Sequence, residues 1–414
     1  MNVPATPRLP ARRALPHRRR PIAAAAAGCV LALAAQGVMA QDKVRIGFIT
    51  DMSSVYADVD GKGGALALQM AIDDYGGKVL GKPVELMVAD HQNKADLAAS
   101  KAREWFDQRD MQMLVGGTTS STGLAMAKVA EEKKRLIIVN GSGTSALTND
   151  QCSPYTVHYA YDTVALAKGT GGAIVGLGDK DWFFLTADYA FGHALEADTT
   201  KVIKAAGGRV IGSVRHPINA SDFSSFLLQA QNSKAQILAM ANAGGDTINT
   251  IKAAREFGVT KTMKLAGLLL FSSDIHSLGL KQTEGLMFTD SWHWDLNPES
   301  RKFSDRFFEK FKKMPTSLQA ADYSAMMTYL KTADRIKSTD SDKVMAALKS
   351  EPLSDFYAKG TIRPDGRYAH EMYLMQVKAP AESKGAWDYF KILKTLSPDE
   401  VWTTRAESTC KLWK

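Results

Sequence analysis

The chain has 414 residues, of which 45% are hydrophobic and 23% are charged, and this balance is typical of a globular protein with two domains or two lobes. It excludes a collagen-like, coiled-coil or intrinsically disordered chain. The formal net charge is +8, but the first 40 residues hold six arginines and no Lys, Asp or Glu, which leaves 46 basic and 44 acidic residues. We therefore expect no broad phosphate-binding surface and no nucleic-acid partner.

The first 40 residues predict a secretory signal peptide. A positively charged start precedes an apolar stretch at 22–35 and small residues at 38–40, which place the cleavage site after Ala40. The apolar stretch is shorter than the roughly 20 residues that a membrane anchor needs. Lipoprotein processing at Cys29 and twin-arginine export stay open as alternatives. We expect an exported protein that is soluble in the periplasm.

After this leader, short apolar runs alternate with longer amphipathic runs in two successive series. The first series predicts strands at 44–50, 84–89, 114–115 and 136–139, and helices at 63–75, 95–108 and 124–134. The second predicts helices at 164–177, 193–206, 223–232 and 247–257, and strands at 182–186, 209–214, 236–241 and 263–266. Each series is typical of a parallel sheet covered by helices on both faces, so the predicted fold class is α/β with two similar, Rossmann-like lobes.

Beyond Trp292 the pattern changes to helices at 299–312, 318–337 and 342–349, followed by strands at 356–362, 372–377 and 387–393 around a tight turn at 364–366. These elements are too few for a third domain, and we expect them to complete the two lobes. The predicted bounds are 41–160 with about 291–362 for the first lobe, and 161–290 with about 363–414 for the second. Several segments would then cross between the lobes.

Two cysteines follow the leader, Cys152 and Cys410. In an oxidising compartment an isolated pair predicts a disulfide rather than a metal site, and two unpaired buried thiols are the alternative. The sequence has no Walker loop, no Gly-x-Ser-x-Gly and no His-Glu-x-x-His. The Gly-x-Gly-x-x-Ala run at 141–146 lacks a ribose-binding acid. We expect no metal and no cofactor.

Two polar loops follow neighbouring predicted strands and indicate an anion site. The run 116–123, Gly-Gly-Thr-Thr-Ser-Ser-Thr-Gly, leads into a helix, and the loop 140–145 follows the next strand. Main-chain N–H groups at a helix start, with hydroxyls beside them, hold an anion without a positive side chain. Plain capping of the helix needs only one of these hydroxyls. We expect both loops at the crevice that forms at the carboxyl ends of parallel strands.

Aromatic side chains lie in other loops that also follow predicted strands. Tyr56 follows the first strand, and Tyr189 and Phe191 follow the strand at 182–186. Core or surface packing is the alternative for each ring. Their repeated position after strands favours a cleft with rings on one side and hydroxyls on the other.

The sequence resembles the periplasmic solute-binding proteins of ABC transporters, in the branch of leucine/isoleucine/valine-binding proteins. The resemblance covers essentially the whole mature chain and rests on the order and spacing of five motifs: Val-Arg-Ile-Gly at 44–47 with Met-Ser at 52–53, Ala-Ile-Asp-Asp at 71–74, the loop 117–122, Asp-Tyr-Ala-Phe-Gly at 188–192, and Gly-Leu at 285–286. It implies the type I periplasmic-binding fold, with two lobes joined by three crossover segments that close like a hinge. It also implies a membrane permease as partner.

In this family, hydroxyls and amides of the first lobe hold the ligand carboxylate at positions that match Thr119, Ser120, Ser142 and Thr144. The family's amino-acid binders add an acid from the second lobe for the ligand ammonium, but the matching stretch 267–271 is Gly-Leu-Leu-Leu-Phe. A tyrosine expected at 242–246 is also absent. An ammonium without a counter-charge is costly to bury.

The resemblance therefore points to an aromatic or otherwise hydrophobic carboxylate as the ligand. Asn242 or Asp246 is the candidate partner for a distal ligand hydroxyl. In the alternative interpretation Asp246 replaces the missing acid, and the protein binds branched-chain or other hydrophobic amino acids.

We predict a receptor without catalytic activity, acting as a monomer. A different class, an exported hydrolase, would use Ser120 or Ser142 as nucleophile and His91 or His293 as base. A sensory ligand-binding module is a third class, which normally carries a membrane segment or signalling domain.

Overall fold

The computed structural model describes residues 42–414, so the predicted leader and its cleavage site after Ala40 lie outside the described residues. Within that range no helix combines the length and the apolar character that crossing a bilayer requires.

The strands alternate with helices through most of the described chain. The strands are β1 (Val44–Thr50), β2 (Lys78–Val79), β3 (Lys82–Asp90), β4 (Met111–Gly116), β5 (Leu136–Val139), β6 (Thr156–His158), β7 (Asp181–Ala187), β8 (Arg209–His216), β9 (Ile237–Ala241), β10 (Lys264–Gly267), β11 (Met287–Asp290), β12 (Leu353–Ser354), β13 (Lys359–Ile362), β14 (Tyr368–His370), β15 (Met372–Val377) and β16 (Phe390–Leu396).

The helices are α1 (Gly61–Asp74), α2 (Ala95–Gln108), α3 (Ser120–Lys133), α4 (Thr163–Leu166), α5 (Gly172–Gly176), α6 (Ala190–Ala205), α7 (Ser224–Asn232), α8 (Gly244–Glu256), α9 (Ser272–Leu278), α10 (Leu280–Thr283), α11 (Pro298–Phe311), α12 (Ser317–Ile336), α13 (Ser341–Ser350) and α14 (Pro398–Val401). A π-helical turn at Ala167–Gly171 joins α4 to α5. Short 3₁₀ turns lie at Ser145–Thr148, Val259–Lys261 and Pro380–Glu382.

The first lobe is built on a six-stranded sheet with the order β2-β3-β1-β4-β5-β6. Its strands are parallel except β2, which forms an antiparallel hairpin with β3. Every residue of β4 and β5 is buried, because helices cover both faces of the sheet.

The second lobe is built on a four-stranded parallel sheet with the order β10-β9-β7-β8. Its central strand β9 is buried throughout, whereas the edge strand β8 alternates between exposed and more buried residues. The predicted α/β fold class with two parallel-sheet lobes is confirmed.

Two antiparallel three-stranded sheets, β11-β15-β16 and β12-β13-β14, are formed by the later part of the chain. The first contains β11, which follows the second parallel sheet along the chain, and the second lies beside α13. The chain passes between the lobes three times, near β6, β11 and β14.

A buried ion pair links the segment after β6 to the turn before β14. The Arg367 guanidinium lies 2.9 Å from the Asp162 carboxylate, and both side chains are almost fully buried. Asp162 also accepts the Ala165 N–H at the start of α4 (2.8 Å), and Arg367 stacks over the Trp402 ring at 4.4 Å. Removing either charge would leave the other buried and unpaired, which is strongly destabilising.

The C-terminal tail is tied to the first lobe by a disulfide. Cys152 and Cys410 are bonded, with their Cα atoms 5.7 Å apart. On its way to Cys410 the tail passes Lys168, whose Nζ donates to the Trp402 carbonyl (3.2 Å) and to Glu407 (3.0 Å). The tail therefore contacts both lobes.

Several element bounds differ from the predicted ones. Helix α3 begins at Ser120 rather than 124, because Thr119 is extended and serves as its N-cap. The last strand runs at Phe390–Leu396 rather than 387–393, since Trp387 has a positive φ of 71° and belongs to the preceding turn. The short strands β2, β6, β11, β12 and β14 and the short helices α9, α10 and α14 were not predicted.

Candidate functional site

A narrow cleft lies where strands of both parallel sheets end, and the lobes are so close there that its free volume is about 10 Å³, room for one water-sized group. Its lining comes mostly from loops that directly follow strands, which is where α/β sheets place ligands. The first lobe supplies Tyr56, Val59, Thr118, Ser120, Gly141, Gly143 and Leu318; the crossing after β6 supplies Tyr161; the second lobe supplies Tyr189, Phe191, Ala243, Leu269 and Phe271.

Ser120 is the predicted carboxylate-binding residue that reaches the cleft. It is the first residue of α3 and is fully buried, so the positive end of this 14-residue helix borders the cleft. Its hydroxyl accepts the Thr144 N–H at 3.1 Å. Because that bond uses a lone pair, the hydroxyl hydrogen is free to bind an anion.

Thr118 also lines the cleft, although the sequence analysis did not single it out. Its hydroxyl accepts the Asp51 N–H (3.2 Å) and donates to the Asp60 carboxyl (3.0 Å). It also contacts the Thr50 hydroxyl. The residue lies within the predicted anion-binding run 116–123, so the run itself was the available signal.

Thr119, Ser142 and Thr144 support the cleft from behind and do not line it. The Thr119 hydroxyl bonds the Thr122 hydroxyl at 3.0 Å, and the Ser142 hydroxyl donates to the Thr119 carbonyl at 2.7 Å. The Thr144 hydroxyl accepts the Ala146 N–H at 3.3 Å. These three hydroxyls hold the two polar loops together, as expected for loops at neighbouring strands.

Glycine at position 143 allows the two lobes to approach each other. A Cβ atom on Gly143 would lie 2.8 Å from the Phe191 ring and 2.9 Å from the Tyr161 ring, which is closer than real Cβ contacts. A larger residue would therefore push the second lobe away from the polar loop.

The predicted aromatic residues meet across the cleft. The hydroxyls of Tyr56 and Tyr189 are 3.0 Å apart, and the Tyr189 and Phe191 ring centroids are 6.0 Å apart. Burial raises the pKa of Tyr56 above its usual value, so both phenols are neutral. Beside them the Gly245 N–H donates to the Val55 carbonyl at 3.2 Å. The two lobes are thus in direct hydrogen-bonded contact at this edge.

Asn242 and Asp246 are fully buried but do not line the cleft. The Asn242 side chain accepts the Thr247 hydroxyl (2.7 Å), and the Asp246 carboxyl accepts the backbone N–H groups of Asn219 (3.0 Å) and Ala220 (3.2 Å). Burial raises the pKa of Asp246. Both side chains are engaged inside the second lobe, where they order its loops.

The second-lobe side of the cleft is apolar apart from Tyr189. Ala243, Leu269 and Phe271 are buried there, and no Asp, Glu, Lys or Arg is among the residues that line the cleft in the described chain. The stretch 267–271 has no acid, but Leu269 and Phe271 were not predicted as lining residues. Their apolar character gave no signal that separates a cleft wall from core.

Two carboxyls lie beneath the first-lobe wall. Asp322 accepts the Asn140 side-chain N–H at 2.5 Å, and the Asp60 and Asp322 carboxyls are hydrogen-bonded to each other. Burial and the charge of the neighbouring carboxyl raise the pKa of Asp322 well above its usual range, and burial raises that of Asp60. The pair therefore retains a proton and keeps the wall nearly neutral.

The histidines considered as bases do not contact the serines. His91 Nε2 lies 3.3 Å from the Thr122 hydroxyl, and His293 packs on Phe390 with 5.3 Å between ring centroids. Burial lowers the pKa of both rings to about 4. In residues 42–414 there is no group of three His, Cys, Asp or Glu side chains arranged to hold a metal ion.

Two parallel-sheet lobes joined by three crossings, with a cleft at the strand ends, define the class of two-lobed solute receptors. The chain belongs to the periplasmic binding protein family, whose model matches residues 43–386. Members of this family are solute-binding receptors that act in the periplasm.

Solved and curated relatives agree with this assignment. A periplasmic binding protein from Burkholderia mallei is 63% identical, with a TM-score of 0.89 over 90% of this chain and 100% of that chain. A branched chain amino acid ABC transporter periplasmic ligand-binding protein from Burkholderia xenovorans is 39% identical, with a TM-score of 0.80 over 90% of this chain and 100% of that chain. Leu/Ile/Val-binding protein homolog 6 from Brucella melitensis is 27% identical over 287 residues, 66% of this chain and 70% of that protein.

Proposed function

We propose that this protein is the monomeric extracytoplasmic receptor of an ABC importer and binds a small carboxylate with an aromatic or other hydrophobic body. The observation that carries the proposal is the pairing of two unlike walls. Ser120 and the start of α3 offer hydrogen-bond donors to an anion, whereas Leu269 and Phe271 offer apolar contact.

The charge balance of the cleft favours an acid over an amino acid. A carboxylate needs donors, which the first wall supplies, but an ammonium needs a carboxylate or several acceptors. Asp246, the predicted substitute acid, is already bonded to two backbone N–H groups of its own lobe. An α-ammonium in this cleft would lose hydration without gaining a charged partner.

Capture would follow from closure of the two lobes. A solute that contacts both walls binds the closed form better than the open form and shifts the population toward it. The Tyr56–Tyr189 pair and the Gly245–Val55 bond would form in the same movement. The permease then distinguishes the loaded receptor by its closed shape.

Branched-chain amino acids are the second candidate solutes. The name of the 39% identical protein from Burkholderia xenovorans favours them, as does the name of the Brucella homologue. The two candidates differ in a single group, the α-ammonium of the solute.

Matched ligands test the proposal on the mature protein. Isothermal titration calorimetry would compare 4-methylpentanoate with leucine, and 3-phenylpropanoate with phenylalanine; each pair differs only by the amino group. We expect the acids to bind and the amino acids to bind at least tenfold more weakly, while 3-phenylpropanamide, which lacks the negative charge, does not bind. Binding of leucine without 4-methylpentanoate would refute the carboxylate assignment and favour the second candidate.

A further inference from the structure

A second compartment adjoins the cleft near Phe271 and Leu318. Its free volume is about 10 Å³, room for one water-sized group such as a hydroxyl. Ser272 and Ser317, the chain neighbours of these two cleft residues, line it together with Asp290. Adjacent residues of the same two segments thus line the two spaces, Phe271 and Leu318 the cleft and Ser272 and Ser317 the compartment.

The compartment contains a hydrogen-bonding group that the protein does not use. The Ser272 hydroxyl is buried and has no hydrogen-bond partner, and the Ser317 hydroxyl lies beside the Asp290 carboxyl, whose pKa it lowers; the two serines are 8% and 3% exposed. A buried polar group without a partner costs free energy, so proteins rarely retain one without a reason. The free Ser272 hydroxyl in this small space points to a partner that is supplied from outside the chain.

The third polar group of the compartment is the Asp290 carboxyl. One of its oxygens accepts the Ser291 N–H at 2.7 Å, and the side chain is 5% exposed. Burial raises its pKa to about 7. The remaining walls are aromatic or apolar and include Trp292, His293 and Phe390.

The indole N–H groups nearby are already bonded. Trp292 donates to the Ser300 hydroxyl at 3.0 Å, and Trp294 donates to the Trp387 carbonyl at 2.9 Å. The polar groups that face a ligand are thus the Ser272 hydroxyl, the Asp290 carboxyl with the Ser317 hydroxyl beside it, and the His293 ring. A solute hydroxyl matches this set, since it donates to a carboxyl and accepts from serine hydroxyls at once.

We propose that the cleft extends between Phe271 and Leu318 into this compartment, and that Ser272, Ser317 and Asp290 bind a hydroxyl at the far end of the solute from its carboxylate. The inference rests on the proposed function, because it takes the carboxylate end to lie at Ser120. It narrows the solute class to hydroxylated hydrophobic acids. The distal partner is then this compartment rather than Asn242 or Asp246, which are bonded inside the second lobe.

Matched pairs of acids test the compartment directly. Calorimetry on the mature protein would compare 3-(4-hydroxyphenyl)propanoate with 3-phenylpropanoate, and 4-hydroxybenzoate with benzoate. We expect at least a tenfold preference for one hydroxylated acid over its parent, since sites built to bond a hydroxyl discriminate strongly against its loss. The variants Ser272→Ala and Ser317→Ala should reduce that preference to less than twofold and leave the parent acid's affinity unchanged.

Ser273→Ala is the matched control, because the Ser273 hydroxyl is also buried without a partner but does not line the compartment. It should keep the full preference. Ser272→Ala and Ser273→Ala remove an unpartnered hydroxyl, so they should fold with unchanged melting temperature; Ser317→Ala also removes a contact to Asp290, and its melting temperature should fall slightly.

The outcomes separate the two proposals. If the parent acids bind but the hydroxyl adds nothing, or if the alanine variants weaken both acids of a pair equally, the compartment is no subsite and the carboxylate proposal stands. If no acid binds while leucine does, the proposed function fails and the subsite inference fails with it.

Discussion

The two walls of the cleft differ in how their side chains are held. On the first-lobe wall the hydroxyls are linked to one another and to the main chain, from Ser142 through Thr119 to Thr122, so the donors that face the cleft are fixed in advance. On the second-lobe wall, Phe191, Leu269 and Phe271 are held by apolar packing. Preorganised donors provide selectivity for charge, and apolar contact provides affinity that depends on size and shape. The comparison predicts that damage to the two walls will have separable effects.

We expect the largest effect on the free energy of unfolding from Asp274, the acid that is hydrogen-bonded to the second wall. Asp274 accepts the Phe271 N–H at 3.0 Å, and burial raises its pKa to about 7. The native carboxyl therefore keeps its proton up to about pH 7, whereas the unfolded one releases it near pH 4. Since the folded state binds the extra proton between these values, the free energy of unfolding falls as pH rises from 4 to 7, by up to about 4 kcal/mol from this group.

Urea unfolding at several pH values measures this dependence. Asp274→Asn keeps an oxygen for the Phe271 N–H but cannot titrate, so its stability should change less between pH 4 and 7 than that of the unaltered protein. Asp305→Asn, at an exposed position, should show the original dependence. Equal slopes for the two variants would contradict the assignment of a proton to Asp274.

How much of the fold could be predicted from the sequence depends on whether an element is determined by its own residues or by tertiary contacts. Strand β5 is a continuous apolar run that is buried on both faces, β1 is mostly apolar and buried, and β1, β5 and helix α2 all have their predicted bounds, because burial pattern and chain order determine such elements. The strands β6 and β14 have three residues each, which is too short for a periodic pattern.

The site residues likewise divide into those that the sequence could predict and those that depend on tertiary packing. The rule that loops after strands meet at a crevice placed Tyr56, Ser120 and Tyr189 near the ligand, and all three line the cleft. It does not say where a side chain points within its loop. Asp246 lies two residues after Gly244, whose φ is +56° and where an added Cβ would contact the Val55 carbonyl. The Asp246 carboxyl accepts the backbone N–H of Ala220, which is 26 residues away in the chain. That partner depends on tertiary packing, which the local sequence does not reveal.

Truncation of a side chain in the second wall should lower the free energy of unfolding but have little effect on the recognition of the ligand charge. Phe191 is 3% exposed, and replacing a buried phenylalanine by alanine typically costs about 3 kcal/mol or more. We expect Phe191→Ala to lower the free energy of unfolding by about 3 kcal/mol and to weaken 3-phenylpropanoate binding, while the preference for the acid over its amide persists.

Chemical denaturation and calorimetry together check this expectation. Phe257→Ala, at the end of α8 where the ring is 53% exposed, should change neither quantity appreciably. Loss of the preference for acid over amide in Phe191→Ala would mean that the second wall also contributes to charge recognition.

Alteration of the first wall should have the opposite signature. Ser120→Ala removes a donor to the carboxylate, and a hydrogen bond to a charged group contributes about 1.5–3 kcal/mol, so acid affinity should fall roughly tenfold to 150-fold. The Thr144 N–H loses its acceptor, which adds a smaller loss of stability. Ser121→Ala, one residue further along α3 and outside the cleft lining, is the control for calorimetry. Unchanged acid affinity in Ser120→Ala would remove the basis for an anion site at this helix.

We expect the smallest effect on solute affinity from the two tyrosine hydroxyls at which the walls touch. The Tyr56 and Tyr189 hydroxyls bond only if the lobes are closed, and a neutral hydrogen bond contributes about 1 kcal/mol, or roughly a fivefold change in solute affinity. Because one bond joins the two groups, the Tyr56→Phe, Tyr189→Phe and double variants should weaken binding to the same extent in a double-mutant cycle. Tyr75→Phe, whose hydroxyl bonds Asp334 away from the cleft, should leave affinity unchanged. Additive losses would instead mean that each tyrosine hydroxyl bonds the solute on its own, which would make the second wall polar as well as apolar and weaken the contrast between the walls.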